Sequence, residues 1–337
     1  MKAAIFGDNL AEPMLQVQGL KVYYDTPKGD VIAVDGISLD LFSNDTLGVV
    51  GESGCGKSTA AMGILNLVNE PGRIVGGEVV LQGVDILSLK DEELRQRRWT
   101  EIALIPQGAM NSLNPTMTVR QQIKDVVFTH ENSINKEQFN ERLSDLIKMV
   151  GLPTRVLNLY PHELSGGMKQ RVCIAMAVAL KPKVLIADEA TSALDVIVQR
   201  VIAQTLKKVS HELGLAMIMI GHDMGLMAQM TTKMAVMYAG NIVEIAPTNQ
   251  IFEMPLHPYT KLLLSAVPSL TERKPLHKMD GITHDPRNPP SGCIFRLRCP
   301  IATTICAEQK PFLQKINSEK RGQVACHHHD AVVDIKV

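Results

Sequence analysis

Gly51-Glu52-Ser53-Gly54-Cys55-Gly56-Lys57-Ser58 follows the apolar run 46–50 and opens the periodic stretch 57–68. A glycine-rich octapeptide between a strand and a helix is the setting of a phosphate-binding loop. Its glycines let the backbone curl until N–H groups and the helix N-terminus face phosphate oxygens. Lys57 then reaches the β- and γ-phosphates, and the Ser58 hydroxyl offers a ligand to Mg2+. The competing reading, a glycine turn that binds nothing, fits this strand-loop-helix order poorly. Cys55 reads as a small loop residue.

Outward from the loop, residues 15–22, 32–41 and 46–50 read as strands, with further strands at 79–81, 102–105, 184–187 and 216–221. Residues 118–151 read as helical, interrupted by a polar stretch at 129–136, and 196–212 as an amphipathic helix. Strands alternating with helices predict an α/β domain whose sheet sequence is divided by a helical insertion. Beyond about residue 265, prolines such as Pro286, Pro289, Pro290, Pro300 and Pro311 punctuate a loop-rich appendage. The expected organisation is a flexible N-terminus at 1–13, a phosphate-loop α/β domain at 14–265 with its helical subdomain at about 109–180, and a C-terminal extension at 266–337.

The 337 residues balance 35 basic against 35 acidic side chains, so no general nucleic-acid footprint exists, and 4% aromatics supply few stacking platforms. The longest apolar run, 172–180, has nine residues, well short of the ~18 a membrane helix requires. No leader pattern opens the chain, and the expected location is cytoplasmic. Val184-Leu185-Ile186-Ala187-Asp188-Glu189 is an apolar strand ending in two carboxylates, where open α/β sheets place ligand chemistry. Two such acids alone read as a solvated loop. Paired with the phosphate loop, Asp188 reads as an Mg2+ ligand and Glu189 as the group that polarises water.

Leu164-Ser165-Gly166-Gly167-Met168-Lys169-Gln170 resembles the signature loop of the ATP-binding cassette (ABC) ATPases. Flanking positions resemble that family too: Gln107 its Q-loop, Ser192-Ala193-Leu194-Asp195 its D-loop, and His222 its switch histidine. Tyr24, or the adjacent Tyr23, resembles the aromatic that stacks on adenine. The resemblance implies a P-loop α/β core with an antiparallel β subdomain and a helical subdomain. It implies ATP held by Gly51, Ser53, Gly54, Cys55, Gly56, Lys57, Ser58 and Thr59, and Mg2+ held by Ser58, Gln107 and Asp188. It also implies that Ser165, Gly166, Gly167 and Asp195 serve the nucleotide of a second ATPase subunit, with Glu189 as base and His222 on the γ-phosphate.

His257-Pro258-Tyr259-Thr260 and the following leucines resemble the ATPase subunits of dipeptide and oligopeptide importers. That narrower resemblance implies work on two transmembrane permeases at the inner face of the membrane, fed by an extracytoplasmic peptide-binding protein. Nickel or oligosaccharide import, and a soluble ABC ATPase outside transport, are the alternatives. Cys293, Cys299, Cys306 and Cys326 follow with gaps of five, six and nineteen residues, unlike the paired C-x-x-C knuckles of most structural zinc sites. The resemblance implies a 4Fe-4S cluster there; zinc, or reduced or disulfide-bonded thiols, are the other readings. Arg287, Arg296, Arg298 and His327 are placed in sequence to offset thiolate charge. The methionines from Met217 to Met237 read as core rather than as a copper site, as does Cys173.

Overall fold

A computed structural model describes residues 12–131, 133–192, 194–266, 284–316 and 322–335. The expected N-terminal segment up to residue 11, Ala193 of the D-loop and residues 267–283 of the extension lie outside the described residues. Strands β1 (Leu15–Tyr24), β2 (Val31–Leu41) and β3 (Thr46–Val50) lead into α1 (Lys57–Ile64), followed by β4 (Gly72–Leu81) and β5 (Val84–Asp85). Next come α2 (Asp91–Arg97), β6 (Ile102–Ile105), α3 (Val119–His130), α4 (Lys136–Met149), α5 (Gly166–Val178) and β7 (Val184–Asp188). Then α6 (Val196–Leu213), β8 (Ala216–Ile220), α7 (Met224–Met230), β9 (Lys233–Tyr238), β10 (Asn241–Pro247), α8 (Thr248–Glu253) and α9 (Pro258–Ser265) follow. The tail holds α10 (Thr304–Glu308), β11 (Gln314–Lys315) and β12 (Gln323–Val324).

The chain divides into two compact units, one of residues 1–41, 46–87 and 221–337, the other of 42–45 and 88–220. In the first, β1 pairs antiparallel with β2 and β4, which makes an antiparallel sheet. Leu15, Val17, Leu20 and Val22 are buried along β1, and α1 closes on Leu20 and Val22 where Gly63 carries no side chain. A second sheet of the same unit joins β3 parallel to β9, β9 antiparallel to β10, and β10 antiparallel to β12. The loop-rich tail is thereby stitched to the sheet: Glu244 lies opposite Val324 and Ile245 opposite Gln323.

The second unit holds the parallel strands β6, β7 and β8, in that order, and every residue of β7 and β8 is buried. Such strands read as unbroken apolar runs because both faces are covered. The helical stretch 118–151 becomes two helices, each with its own cap. Thr118 accepts from the Gln121 N–H and Asn135 from the Gln138 N–H, so the polar break ends one helix and starts the next.

Candidate functional site

The phosphate loop sits between β3 and α1 with the backbone the octapeptide predicts. A Cβ on Gly51 would strike the Met237 carbonyl, and one on Gly56 the Ala33 carbonyl, while Gly56 caps α1 at a φ of 101°. Glycine is required at both. Lys57 is buried and donates from Nζ to the carbonyls of Gly51 (2.8 Å) and Glu52 (2.9 Å). The ammonium thus rests on its own loop's oxygens, next to the Cys55 sulfur at 3.6 Å. Burial pushes the Cys55 thiol up, which disfavours its thiolate. Ser58 and Thr59 occupy the first turn of α1, and Ser53 and Gly54 are exposed at the loop's crest. Tyr24 ends β1 half-exposed, opposite Val31 and Gly72. His222 is exposed one residue before Asp223, which caps α7 through the Leu226 N–H at 3.0 Å.

In the second unit β7 delivers Asp188, only 1% exposed, and then Glu189. Glu189 has a φ of 46°, a left-handed conformation costing a non-glycine residue roughly 1–2 kcal/mol. Its N–H donates to the Ile220 carbonyl at 3.0 Å and its carbonyl accepts from the Ser192 N–H at 2.9 Å, which hold the strained turn in place. The Gln107 amide donates to Glu189 Oε2 at 2.9 Å, fixing the direction of the carboxylate. Signature and D-loop residues are likewise brought together. Ser165 caps α5, Asp195 caps α6 through the Val198 N–H at 3.0 Å, and Gly166 and Gly167 lie against Leu194 and Val198. A recess of about 530 Å³ opens there, lined by Ser165, Gly166, Gly167, Arg171, Leu194 and Asp195.

In the tail, Cys293, Cys306 and Cys326 are buried, Cys299 is half-buried, and none forms a disulfide. The Cys293 N–H donates to the Cys306 carbonyl at 2.7 Å. Burial, with a smaller contribution from the neighbouring cysteines, pushes the Cys326 thiol up to about 12 and Cys299 up to about 11. The four sulfurs therefore lie in one electrostatic neighbourhood. Among the described residues, however, no group of three or more His, Cys, Asp or Glu is arranged to hold a single metal ion.

A family profile described as "ABC transporter" matches residues 34–192, and one described as "Oligopeptide/dipeptide transporter, C-terminal region" matches 243–306. The dipeptide transport ATP-binding protein DppD of Caldanaerobacter subterraneus is 44% identical over 321 residues, 94% of this chain and 97% of that protein. The oligopeptide transport ATP-binding protein OppF of Salmonella typhimurium is 40% identical, covering 89% of this chain and 92% of its own length. The chain belongs to the ABC transporter ATP-binding subunits of the dipeptide and oligopeptide importer family. Among solved structures, the ATP-binding cassette MJ0796, captured as a post-hydrolysis dimer bound to ADP and Pi, superposes with a TM-score of 0.62. It is 27% identical and covers 70% of this chain and 99% of its own. As an ABC ATPase of this family, the chain is an ATP-hydrolysing enzyme. Among the described residues, no helix is long and apolar enough to cross a membrane.

Three features of this importer ATPase escape motif reading. Arg298 takes the Glu52 carboxylate at 2.9 and 3.0 Å and Arg287 pairs with Asp285, whereas Arg296, which donates to the Ser291 carbonyl, also favours the Cys293 thiolate by its charge. Tyr259 reaches the phosphate loop, its hydroxyl accepting from the Glu52 N–H at 2.9 Å. Glu244 on β10 is fully buried and accepts from the N–H groups of Leu256 (2.8 Å) and His257 (3.0 Å) at the start of α9. An isolated acid in β10 carries no motif, so only the fold exposes its role.

Burial raises the Glu244 carboxyl to about 7, against 4.5 ordinarily. The folded chain then binds this proton more tightly than the unfolded chain. Its stabilising contribution is complete below about 4.5, declines as pH rises toward about 7, and is level above that. The thermal midpoint of the native chain is therefore expected to fall relative to that of Glu244→Gln across this window. A constant difference between the two would refute the assignment.

Proposed function

We propose that this chain is the ATP-hydrolysing motor of a di- or oligopeptide importer, peripheral on the cytoplasmic face of the membrane. Its partners are a second ABC ATPase subunit, identical or homologous, and two transmembrane permeases supplied by an extracytoplasmic peptide-binding protein. The observation that carries this reading is the match of one chain to both the ABC transporter family and the peptide-transporter C-terminal region. Val196 and Ile197 beside Asp195, 80% and 78% exposed, support a partner on that side.

In the reaction we propose, the loop's N–H groups and Lys57 take phosphate oxygens while Tyr24 stacks on adenine. Ser58, Asp188 and Gln107 would hold Mg2+, whose charge would offset that of the phosphates. Water attacks the γ-phosphorus, its proton passes to Glu189, and the bond to ADP breaks with the electron pair leaving on the bridging oxygen. His222 steadies the γ-phosphate, and Ser165, Gly166, Gly167 and Asp195 close on the partner's nucleotide. Membrane vesicles containing the chain and its permeases are the test: ATP-driven accumulation of labelled dipeptide is expected. Accumulation of nickel or an oligosaccharide in its place would move the chain to another importer class, and no ATP-driven uptake would remove it from transport.

We assign Cys293, Cys299, Cys306 and Cys326 to a 4Fe-4S cluster, with zinc as the competing occupant. A four-iron cubane is larger than one ion and spreads its ligands more widely, which is compatible with thiols that are neighbours without converging on one point. Protein purified without oxygen is expected to carry about four iron and four sulfide per chain, as a four-Cys cubane requires. Cys299→Ser is expected to bleach its visible absorption with nucleotide binding largely kept. Stoichiometric zinc, or intact protein free of metal, would overturn the assignment.

A further inference from the structure

We infer that the cysteine-bearing tail is a working part of the nucleotide site, and that Arg298 is a positioning residue that sets the phosphate loop through Glu52. This rests on the reading that the loop from Gly51 to Ser58 holds the phosphates of ATP. Glu52 is pinned at each of its polar groups. Its N–H donates to the Tyr259 hydroxyl at 2.9 Å and its carbonyl accepts from Lys57 at 2.9 Å. The two carboxylate oxygens accept from the two terminal nitrogens of Arg298. The Arg298 side chain is 6% exposed and lies over the Tyr238 ring at 5.6 Å, so the guanidinium half of the fork is shielded from water while the Glu52 side chain is 30% exposed. Tyr238, Tyr259 and Phe295 are buried against one another, with ring centres 4.8 to 5.5 Å apart, and they join the tail to the loop's support.

Two effects follow for a loop that receives a polyanion. The fork removes the repulsion that a bare Glu52 carboxylate would exert on phosphate, and it fixes the turn whose N–H groups must face that phosphate. Arg298 lies on the short 3-10 turn Arg296–Arg298, directly before Cys299 and after Cys293. Whatever orders those cysteines therefore orders Arg298. Because coupling between sites is reciprocal in free energy, nucleotide bound at the loop in turn steadies the tail.

The test measures equilibrium binding of Mg-ATP by calorimetry on the full chain, with iron, zinc and free thiols counted for each variant. Arg298→Ala is expected to weaken binding about tenfold, the scale of one charge-assisted pair. Arg298→Lys, which keeps the charge without the fork, is expected to fall between that variant and the native chain. Adding Glu52→Gln to Arg298→Ala is expected to restore most of the loss, since the unpaired carboxylate is gone. Native affinity in Arg298→Ala refutes the inference. Equal weakening with and without Glu52→Gln, together with altered metal or thiol content, also refutes it, because Arg298 would then serve only to hold the tail. Undiminished binding by Lys57→Ala would instead bring down the phosphate-loop reading itself.

Discussion

Glu189→Gln is expected to retain Mg-ATP binding while turnover drops by about 10³-fold, within the range a positioned general base supplies. The substitution keeps the shape and removes the group that takes the proton. The amide of Gln107 already donates to Glu189 Oε2 at 2.9 Å, and a glutamine oxygen accepts that bond equally well, so the local structure survives. Backbone strain argues the same way. A glutamate held at a φ of 46° by bonds to Ile220 and Ser192 is fixed by its turn, not by its charge. With binding intact and cleavage stopped, ATP-bound dimers should accumulate, visible as a doubling of mass in light scattering when ATP is added. Hydrolysis at the native rate would remove Glu189 from the role of base.

The second large effect is expected at Lys57. Its ammonium spans the carbonyls of Gly51 and Glu52 and is buried, so Lys57→Ala removes a cation from the loop and takes one donor from each carbonyl, with only that of Glu52 keeping a second, the Cys55 N–H at 3.2 Å. Both losses act against ATP, the first by deleting charge opposite the phosphates and the second by loosening the turn. Loss of a charge-assisted contact together with loop order is expected to weaken Mg-ATP binding by at least about 100-fold. Calorimetric titration reads this directly. An unchanged isotherm would mean that phosphate binds elsewhere.

The backbone of the loop 51–58 and of the strand before Asp188 is legible in the sequence because the residues are contiguous and their conformational demands are unusual. The β3 strand, the glycines at 51 and 56 and the buried strand before Asp188 each follow from a short run. What eludes sequence reading has physical causes. The strand expected at 79–81 extends back to Gly72 because Gly76 and Gly77 interrupt its alternation where the chain crosses Leu20. The helix expected at 57–68 stops at Ile64, with Asn66 in a left-handed turn. Helix α2 has only Leu94 buried and is marked by acids in its first turn and arginines in its last, a charge pattern with no apolar face. The Glu52–Arg298 pair joins two residues that no local window contains, and in sequence Arg298 looks like a counter-ion for cysteines. The methionines from Met217 to Met237 are buried, as residues of a packed core.

The tail's return to the sheet has a consequence for manufacture of the protein. Strand β12 covers β10, and the outermost strand, β11, is two residues long and carries Lys315. Short, charged borders of this kind discourage edge-to-edge association between copies. Cutting the chain before Gln323 would bare the hydrogen-bonding groups of β10 around Glu244 and Ile245 and offer them to any extended segment nearby. The tail is thus also a guard against aggregation, and affinity tags or fusions are better placed beyond it than in its stead.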